Sequence, residues 1–317
     1  MGTTATVLLW IGCVIAFLAA AFFLTAYICF FQVFYATDKQ KRGSGEEYPI
    51  PEGHIYEPFR AQMTEWIKMS RSLPHRELFT TSCDGLRLRA NYYEHHPGAT
   101  IELLMHGYRG NTERDMSGAI ARCFALGHSV LLVDQRASAG SEGHVITFGV
   151  MESRDCLSWI DVILREIDPN AKILIGGVSM GASTVMIAAG EQLPPQVIGG
   201  LADCGYSSAR EIIKKVIAER GYPVEFVYRF ARLGGRIYGH FDVEERSPIE
   251  AMAHCTIPVI FLHGDTDDFV PHSMSVACYE ACTAPKRMVT IPGAGHGLAY
   301  PVEPERYLRE VGEFFGV

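Results

Sequence analysis

Short runs of aliphatic and β-branched residues recur along most of this chain, separated by stretches whose apolar positions fall at helical spacing. The runs read LRLRANYYE, IELLMH, SVLLVD, ILIGGV, VIGGLAD, PVIFLHG and RMVTIPG, each long enough for one strand and too short for a typical helix. Between most of them, residues 115–126, 152–167, 182–191 and 274–282 carry the helical pattern. Strands alternating with helices connect most economically as a parallel sheet covered on both faces, so the pattern predicts an α/β architecture. No internal repeat or low-complexity segment interrupts it.

Two intervals break the rhythm. Residues 7–35 contain no charged side chain and exceed the roughly 20 apolar residues that a spanning helix needs, which predicts a transmembrane helix. A cleaved signal peptide would start with basic residues and carry an apolar run about half as long; a buried core helix is the other alternative. Lys39, Lys41 and Arg42 follow at once. Positive charge beside a span tends to stay in the cytoplasm, which argues for an outside N-terminus and a cytoplasmic body. Residues 1–42 thus read as a single-pass anchor with its basic flank. Residues 43–76 read as a linker: GSGEEYPIPEGH has tether composition, and Met63, Trp66 and Ile67 mark a short helix near the membrane or on the body. Residues 77–317 form the main domain. Within it, about fifty residues separate the strand near Asp203 from the one near Pro258. A structureless loop that long is improbable, so residues 205–250 read as a helical lid inserted over the sheet edge.

The chain has 317 residues and a formal net charge of −8, with no basic cluster beyond the anchor, which speaks against nucleic acid as a partner. Its nine cysteines show neither zinc-ligand pairs nor a disulfide framework; Cys278 and Cys282, one turn apart, read as ordinary thiols. His95 and His96 lack the spacing of a metal site. No metal and no cofactor is expected.

Gly177-Val178-Ser179-Met180-Gly181 matches G-x-S-x-G between a predicted strand and a predicted helix. A serine at the tip of so sharp a turn has a strained backbone, and its neighbours must lack bulk for strand and helix to approach. The helix N-terminus behind it favours the negative charge of a tetrahedral intermediate. Such a serine needs a base, and the base an orienting acid. His296, in the glycine-rich IPGAGHGLAY loop after the last strand-like run, is the candidate base. FLHGDTDDFVP offers Asp265, Asp267 and Asp268 for the acid.

On these motifs the region from about Glu77 to Val317 resembles the α/β-hydrolases of the esterase/lipase-like serine hydrolase type. The resemblance implies a mostly parallel central sheet with helices on both faces. Its H-G-x-x-D-x-x-V-P motif, laid on His263 to Pro271, selects Asp267, with Asp268 as nearest competitor and Asp203 as a second fallback. The order Ser179, Asp267, His296 is the superfamily's order. Its H-G-x-x-G form, laid on LLMHGYRGN, assigns one oxyanion N–H to Tyr108, with His106 and Gly107 shaping the turn, and the residue after the nucleophile, Met180, supplies the other. Arg109 beside them reads as a solvated surface arginine, with a substrate carboxylate or phosphate as its alternative partner. DQRASAGSEGH resembles the superfamily's loop after its central strand, but Ala139 stands where the first glycine belongs, which puts the turn's path in doubt.

The expectation is a membrane-anchored serine hydrolase acting on carboxylic or lipid esters through an acyl-enzyme on Ser179. Phe226, Tyr228, Phe230, Tyr238 and Phe241 in the insertion would suit an apolar acyl chain. Thioesters and peptides run on the same machinery. A catalytically silent scaffold would lack a triad member, and a dehalogenase relative would carry aspartate in place of Ser179.

Overall fold

The computed structural model describes residues 3–42 and 45–316. Among them, eight strands form one sheet in the order β1-β2-β4-β3-β5-β6-β7-β8. These are β1 (Arg76–Thr81), β2 (Arg87–Tyr93), β3 (Ile101–Met105), β4 (Ser129–Asp134), β5 (Ile173–Val178), β6 (Val197–Asp203), β7 (Val259–Gly264) and β8 (Lys286–Ile291). β1 pairs antiparallel with β2 and β2 antiparallel with β4, while all pairings from β4 across to β8 are parallel. β1 went unannounced in the hydrophobic pattern because Leu78 is its one buried side chain.

The helices in chain order are α1 (Thr3–Phe34), α2 (Asp38–Arg42), α3 (Arg60–Ser72), α4 (Thr112–Asp115), α5 (Ala119–Ala125), α6 (Val150–Val162), α7 (Met180–Ala189), α8 (Ala209–Glu219), α9 (Val224–Tyr238), α10 (Pro248–Met252), α11 (His272–Ala281), α12 (Ala299–Val302) and α13 (Pro304–Phe315). The helix expected over 115–126 is α5, starting later than expected, and the short α4 precedes it, capped by Asn111 accepting from Arg114 N at 2.9 Å. The one expected over 152–167 is α6 followed by a wider turn.

The two-residue period of the strands sorts the core into layers. Leu103, Met105, Leu131, Val133 and Phe261 pack with Trp159 of α6 and Val185 of α7. The alternate residues Leu104 and Leu132 pack with Ile120 of α5, and Ile260 and Leu262 with Val311 of α13. The sheet is therefore covered on both faces. The interval between β6 and β7 holds α8, α9 and α10.

The 32 residues of α1 span about 48 Å at ~1.5 Å per residue, well beyond the ~30 Å of a bilayer core. Its two halves differ. From Val7 to Leu24 the large apolar side chains are 46–72% exposed, whereas Ala26, Phe30 and Phe34 are buried, the two phenylalanines in one cluster with Tyr228, Ala231 and Phe241 of the insertion. A side-chain carbon added at Gly234 of α9 would fall 2.4 Å from the Ala26 carbonyl oxygen, so the helices touch backbone to backbone. Beyond α1, Tyr35 pairs antiparallel with Val145, and Ala36 N donates to His144 O at 2.7 Å.

The tether of the sequence reading is corrected in part. Ile50 is buried with Met63, Ile67 and Leu298, so residues 45–56 lie against α3 instead of swinging free. Gly43 and Ser44 of that stretch, the Arg42 side chain of the basic flank, and Val317 lie outside the described residues.

Candidate active site

β5 ends at Val178 and α7 begins at Met180, so the reversal falls on Ser179, at φ 58° and ψ −120°. Its N–H donates to Asp203 O at 2.8 Å, pinning the turn to β6. A side-chain carbon on Gly177 would meet the Gly181 carbonyl carbon at 2.4 Å, and one on Gly181 would meet Met105 O at 2.0 Å. Only hydrogen fits at either place, which is why glycines flank the serine.

The loop after β8 brings His296 to this turn. Nε2 of His296 lies 2.9 Å from Ser179 Oγ, and Nδ1 lies 2.7 Å from Asp267 Oδ2. With Nδ1–H donating to the carboxylate, Nε2 is left to accept from the serine hydroxyl. Asp267 Oδ1 also accepts from Phe269 N at 3.0 Å and Val270 N at 2.9 Å. Burial alone would push this carboxyl up, but hydrogen bonds from His263 and His296 hold it below the usual carboxylate range. The Phe269 ring stands edge-on to His296 at 5.0 Å, and Tyr56 Oη donates to His296 O at 3.0 Å.

Among the described residues the other candidate acids do not reach the imidazole. Asp268 is exposed, and its carbonyl accepts from Lys215 Nζ at 2.7 Å. Asp265 accepts from Gly293 N at 2.7 Å. Asp203 is buried, pushed up to about 6 by desolvation, and accepts from Tyr307 Oη at 3.2 Å, leaving Oδ1 unpartnered.

Two neighbours were missed in the sequence reading. His263, fully buried, sits with Nε2 3.1 Å from Asp267 Oδ2 and 2.9 Å from Val270 O, and with Nδ1 2.7 Å from Ser275 Oγ. Its signal was its place at the head of the H-G-x-x-D motif. Cys204, buried at φ 47°, offers its sulfur within 4.8 Å of ligand atoms of Asp267 and His296. Both imidazole nitrogens are already engaged, and burial raises the thiol well above its ordinary value, so the cluster makes a poor metal site.

The loop after β3 runs beside the serine: a carbon on Gly107 would lie 3.6 Å from Ser179 Cβ. Neither the Tyr108 N–H nor the Met180 N–H finds a protein acceptor among the described residues. His106 is buried, with Nδ1 2.8 Å from Gly107 O and Nε2 accepting from Gln135 N at 3.1 Å; burial pushes its pKa down, and the neutral ring braces the turn.

Arg109 is a correction. It takes φ 52° and its Nη2 donates to Gln32 O at 2.8 Å and Tyr35 O at 2.9 Å, so it caps α1 instead of waving in solvent. The Ala139 doubt is resolved as well: alanine adopts φ 39° there, the left-handed turn that a glycine would have made without strain.

An open cleft of about 1090 Å³ reaches His296 between Phe31, Tyr56, Arg109, Arg220 and Phe269. None of the five insertion aromatics expected to take an acyl chain lines it. Phe230 contacts Phe22 at 5.1 Å and Tyr238 contacts Tyr27 at 5.3 Å between ring centroids, Tyr228 and Phe241 are buried, and Phe226 is exposed. They pack against α1 or face outward because an apolar helix covers that side of the insertion.

The mostly parallel eight-stranded sheet and its covering helices are similar to those of solved structures. The Pyrococcus furiosus esterase Pf2001 matches with a TM-score of 0.63 at 20% identity, over 78% of this chain and 94% of that one. The chain has the α/β-hydrolase fold. The α/β-hydrolase GrgF from Penicillium sp. sh18 superposes with a TM-score of 0.56 at 16% identity, covering 77% of this chain and 98% of its own. The Pyrococcus horikoshii acylaminoacyl peptidase gives 0.54 at 17%, over 78% of this chain and 42% of that α/β-hydrolase-fold enzyme. No protein-family model matches the chain. By sequence it is similar to the uncharacterized protein YqkD of Bacillus subtilis, 27% identical over 60% of this chain and 62% of that protein. The uncharacterized protein YfhR of Escherichia coli K12 is 25% identical over 68% and 71%.

Proposed function

We propose that this protein is a membrane-anchored serine hydrolase that cleaves carboxylic esters through an acyl-enzyme on Ser179. The observation that carries the reading is the unbroken chain from Ser179 Oγ to His296 to Asp267, at 2.9 and 2.7 Å, beside two N–H groups without acceptors among the described residues. Ser179 attacks the acyl carbon as His296 Nε2 takes its proton. Asp267 holds the imidazole with Nδ1–H toward itself and stabilises the imidazolium. The N–H groups of Tyr108 and Met180 receive the oxyanion, and His296 then returns the proton to the leaving group. Water repeats the sequence and frees the acid. A silent scaffold would have no reason to keep this chain complete.

The anchor reading draws on the exposed apolar face of α1 from Val7 to Leu24 and on the basic residues after it. Outside α1, the exposed large apolar side chains among the described residues are Tyr222, Phe226 and Phe269. Two of these lie at the tip of the α8–α9 hairpin and one lies at the cleft mouth, which supports an amphiphilic ester drawn from the lipid phase. The cleft itself carries Lys39, Arg60, Arg109, Arg114 and Arg220 against Glu46, Glu52 and Asp268. Arg60 and Arg114 are paired there with Glu57 and Asp115, so the lining is polar and near charge balance, which favours a polar leaving group. A series of p-nitrophenyl esters of graded chain length, assayed with wild type and Ser179→Ala, tests the proposal. Turnover that depends on Ser179 supports it, and turnover that survives the substitution rules it out.

A further inference from the structure

We propose that the last turn of α1 is a working part of the active site, because its carbonyl groups hold the oxyanion loop in place through the side chains of Tyr108 and Arg109. The inference rests on the hydrolase reading for its catalytic consequence and on geometry alone for the tie itself. A helix ends with four carbonyls that have no intrahelical partner. Here Val33 O accepts from Tyr108 Oη at 2.6 Å, and the Arg109 guanidinium donates to Gln32 O at 2.8 Å and Tyr35 O at 2.9 Å. A cation at a helix C-terminus also meets the negative end of the helix dipole. One loop thus caps the anchor, and the anchor holds the loop.

The backbone of that loop needs holding. Arg109 sits at φ 52°, a conformation that a non-glycine residue keeps only where its surroundings over-determine it. On the body side, Gly107 N donates to Asp115 Oδ2 at 3.2 Å, and Gly110 O accepts from Ser138 Oγ at 2.6 Å. Those bonds fix the two glycines. Between them, Tyr108 and Arg109 are fixed by α1. The helix end is itself immobilised: Ile146 N donates to Phe34 O at 2.8 Å, and the Phe34 ring is wedged edge-on against Phe148 and Phe241 at 5.8 and 5.1 Å. The Tyr108 N–H therefore takes its aim from a segment 75 residues earlier in the chain. Tyr108 and Arg109 act in this respect as positioning residues, because their side chains touch the anchor and not the reacting atoms.

The test uses the full chain in phospholipid nanodiscs and p-nitrophenyl acetate, a soluble ester whose access does not depend on the membrane. Arg109→Ala is expected to lower kcat by roughly 10- to 100-fold with KM within about threefold, less than the ~10²–10³-fold of an outright lost oxyanion donor because the N–H is misaimed and not removed. Affinity for phenylboronic acid, which mimics the tetrahedral state, should fall in proportion to kcat. Arg109→Gly removes the same tie and should not recover the loss; recovery in glycine, which takes φ 52° without strain, would assign the alanine loss to backbone strain and overturn the tie. Tyr108→Phe, isosteric apart from one hydroxyl, should show a smaller loss of the same kind. Hydrogen exchange of the 105–112 amides should quicken in Arg109→Ala, a readout that needs no turnover. Wild-type kcat and unchanged exchange in Arg109→Ala would overturn the tie. Quickened exchange in a chain whose wild type hydrolyses no ester would keep the tie and remove the hydrolase reading.

Discussion

Gly181 and Met105 touch so closely that a side-chain carbon on the glycine would lie 2.0 Å from the methionine carbonyl oxygen. This contact sets the distance between the start of α7 and the end of β3, and hence between the serine turn and the oxyanion loop. Gly181→Ala must therefore push backbone against backbone. Overpacking of this kind costs about 1–3 kcal/mol, or roughly 2–12 °C in thermal midpoint for a domain of this size. Ester turnover should fall by about 100-fold or more, because the two N–H groups separate. Differential scanning calorimetry and a p-nitrophenyl ester assay on the same sample check both numbers.

Asp267 and Asp268 are neighbours in sequence with opposite surroundings. Asp267→Asn should lower kcat by about 10⁴-fold, the scale seen when the orienting acid of a Ser-His-Asp array is neutralised. Asp268→Asn should stay within about threefold of wild type, as expected for an exposed side chain away from the imidazole. Equal losses would mean that Asp268 approaches His296 in solution.

Asp203 gives a pH dependence with a defined sign. Its carboxyl is raised from 3.8 to about 6 by burial, so between those values the folded chain holds a proton that the unfolded chain has lost. Stability from this group is then fully present below the unfolded value and declines as pH rises toward 6. The decline amounts to about 3 kcal/mol at ~1.36 kcal/mol per unit. Asp203→Asn removes the ionisation while keeping an oxygen for Tyr307. Urea midpoints between pH 4 and 8 should therefore show the variant gaining on wild type as pH rises, with turnover largely retained.

The contact between α1 and α9 separates two glycines that look alike in sequence. A carbon at Gly234 would fall 2.4 Å from Ala26 O and 2.7 Å from Phe30 Cβ, while Gly12 has nothing within 4 Å. Gly234→Val should lower the thermal midpoint and loosen α1 from the body, and Gly12→Ala should be neutral or slightly stabilising through helix propensity. Limited proteolysis between α1 and the body reports the difference.

The strands were legible because buried parallel strands are written as uninterrupted apolar runs, and ILIGGV or PVIFLHG admits little else. Ser179 and His296 stood out because glycines surround them, and glycine clusters mark places where the backbone must turn or approach closely. The double role of α1 was hidden. Ala26, Phe30 and Phe34, which face α9, belong to the same chemical class as the residues that face outward, so hydropathy cannot tell the two halves apart. The available signals were a helix longer than a bilayer needs, the Gly234-Gly235 pair on α9, and an arginine placed between the glycines of HGYRG. Capping of a helix by a loop 75 residues later leaves no local pattern, which is why Arg109 read as a surface residue.

The central claim is that Ser179 is a nucleophile activated by His296 and Asp267. Intact-protein mass spectrometry after exposure of the full chain to a fluorophosphonate tests it most directly. The account predicts one covalent adduct, mapped to Ser179, absent in Ser179→Ala and formed far more slowly in His296→Ala. A folded wild-type protein that remains unmodified, or an adduct on any other residue, would contradict it.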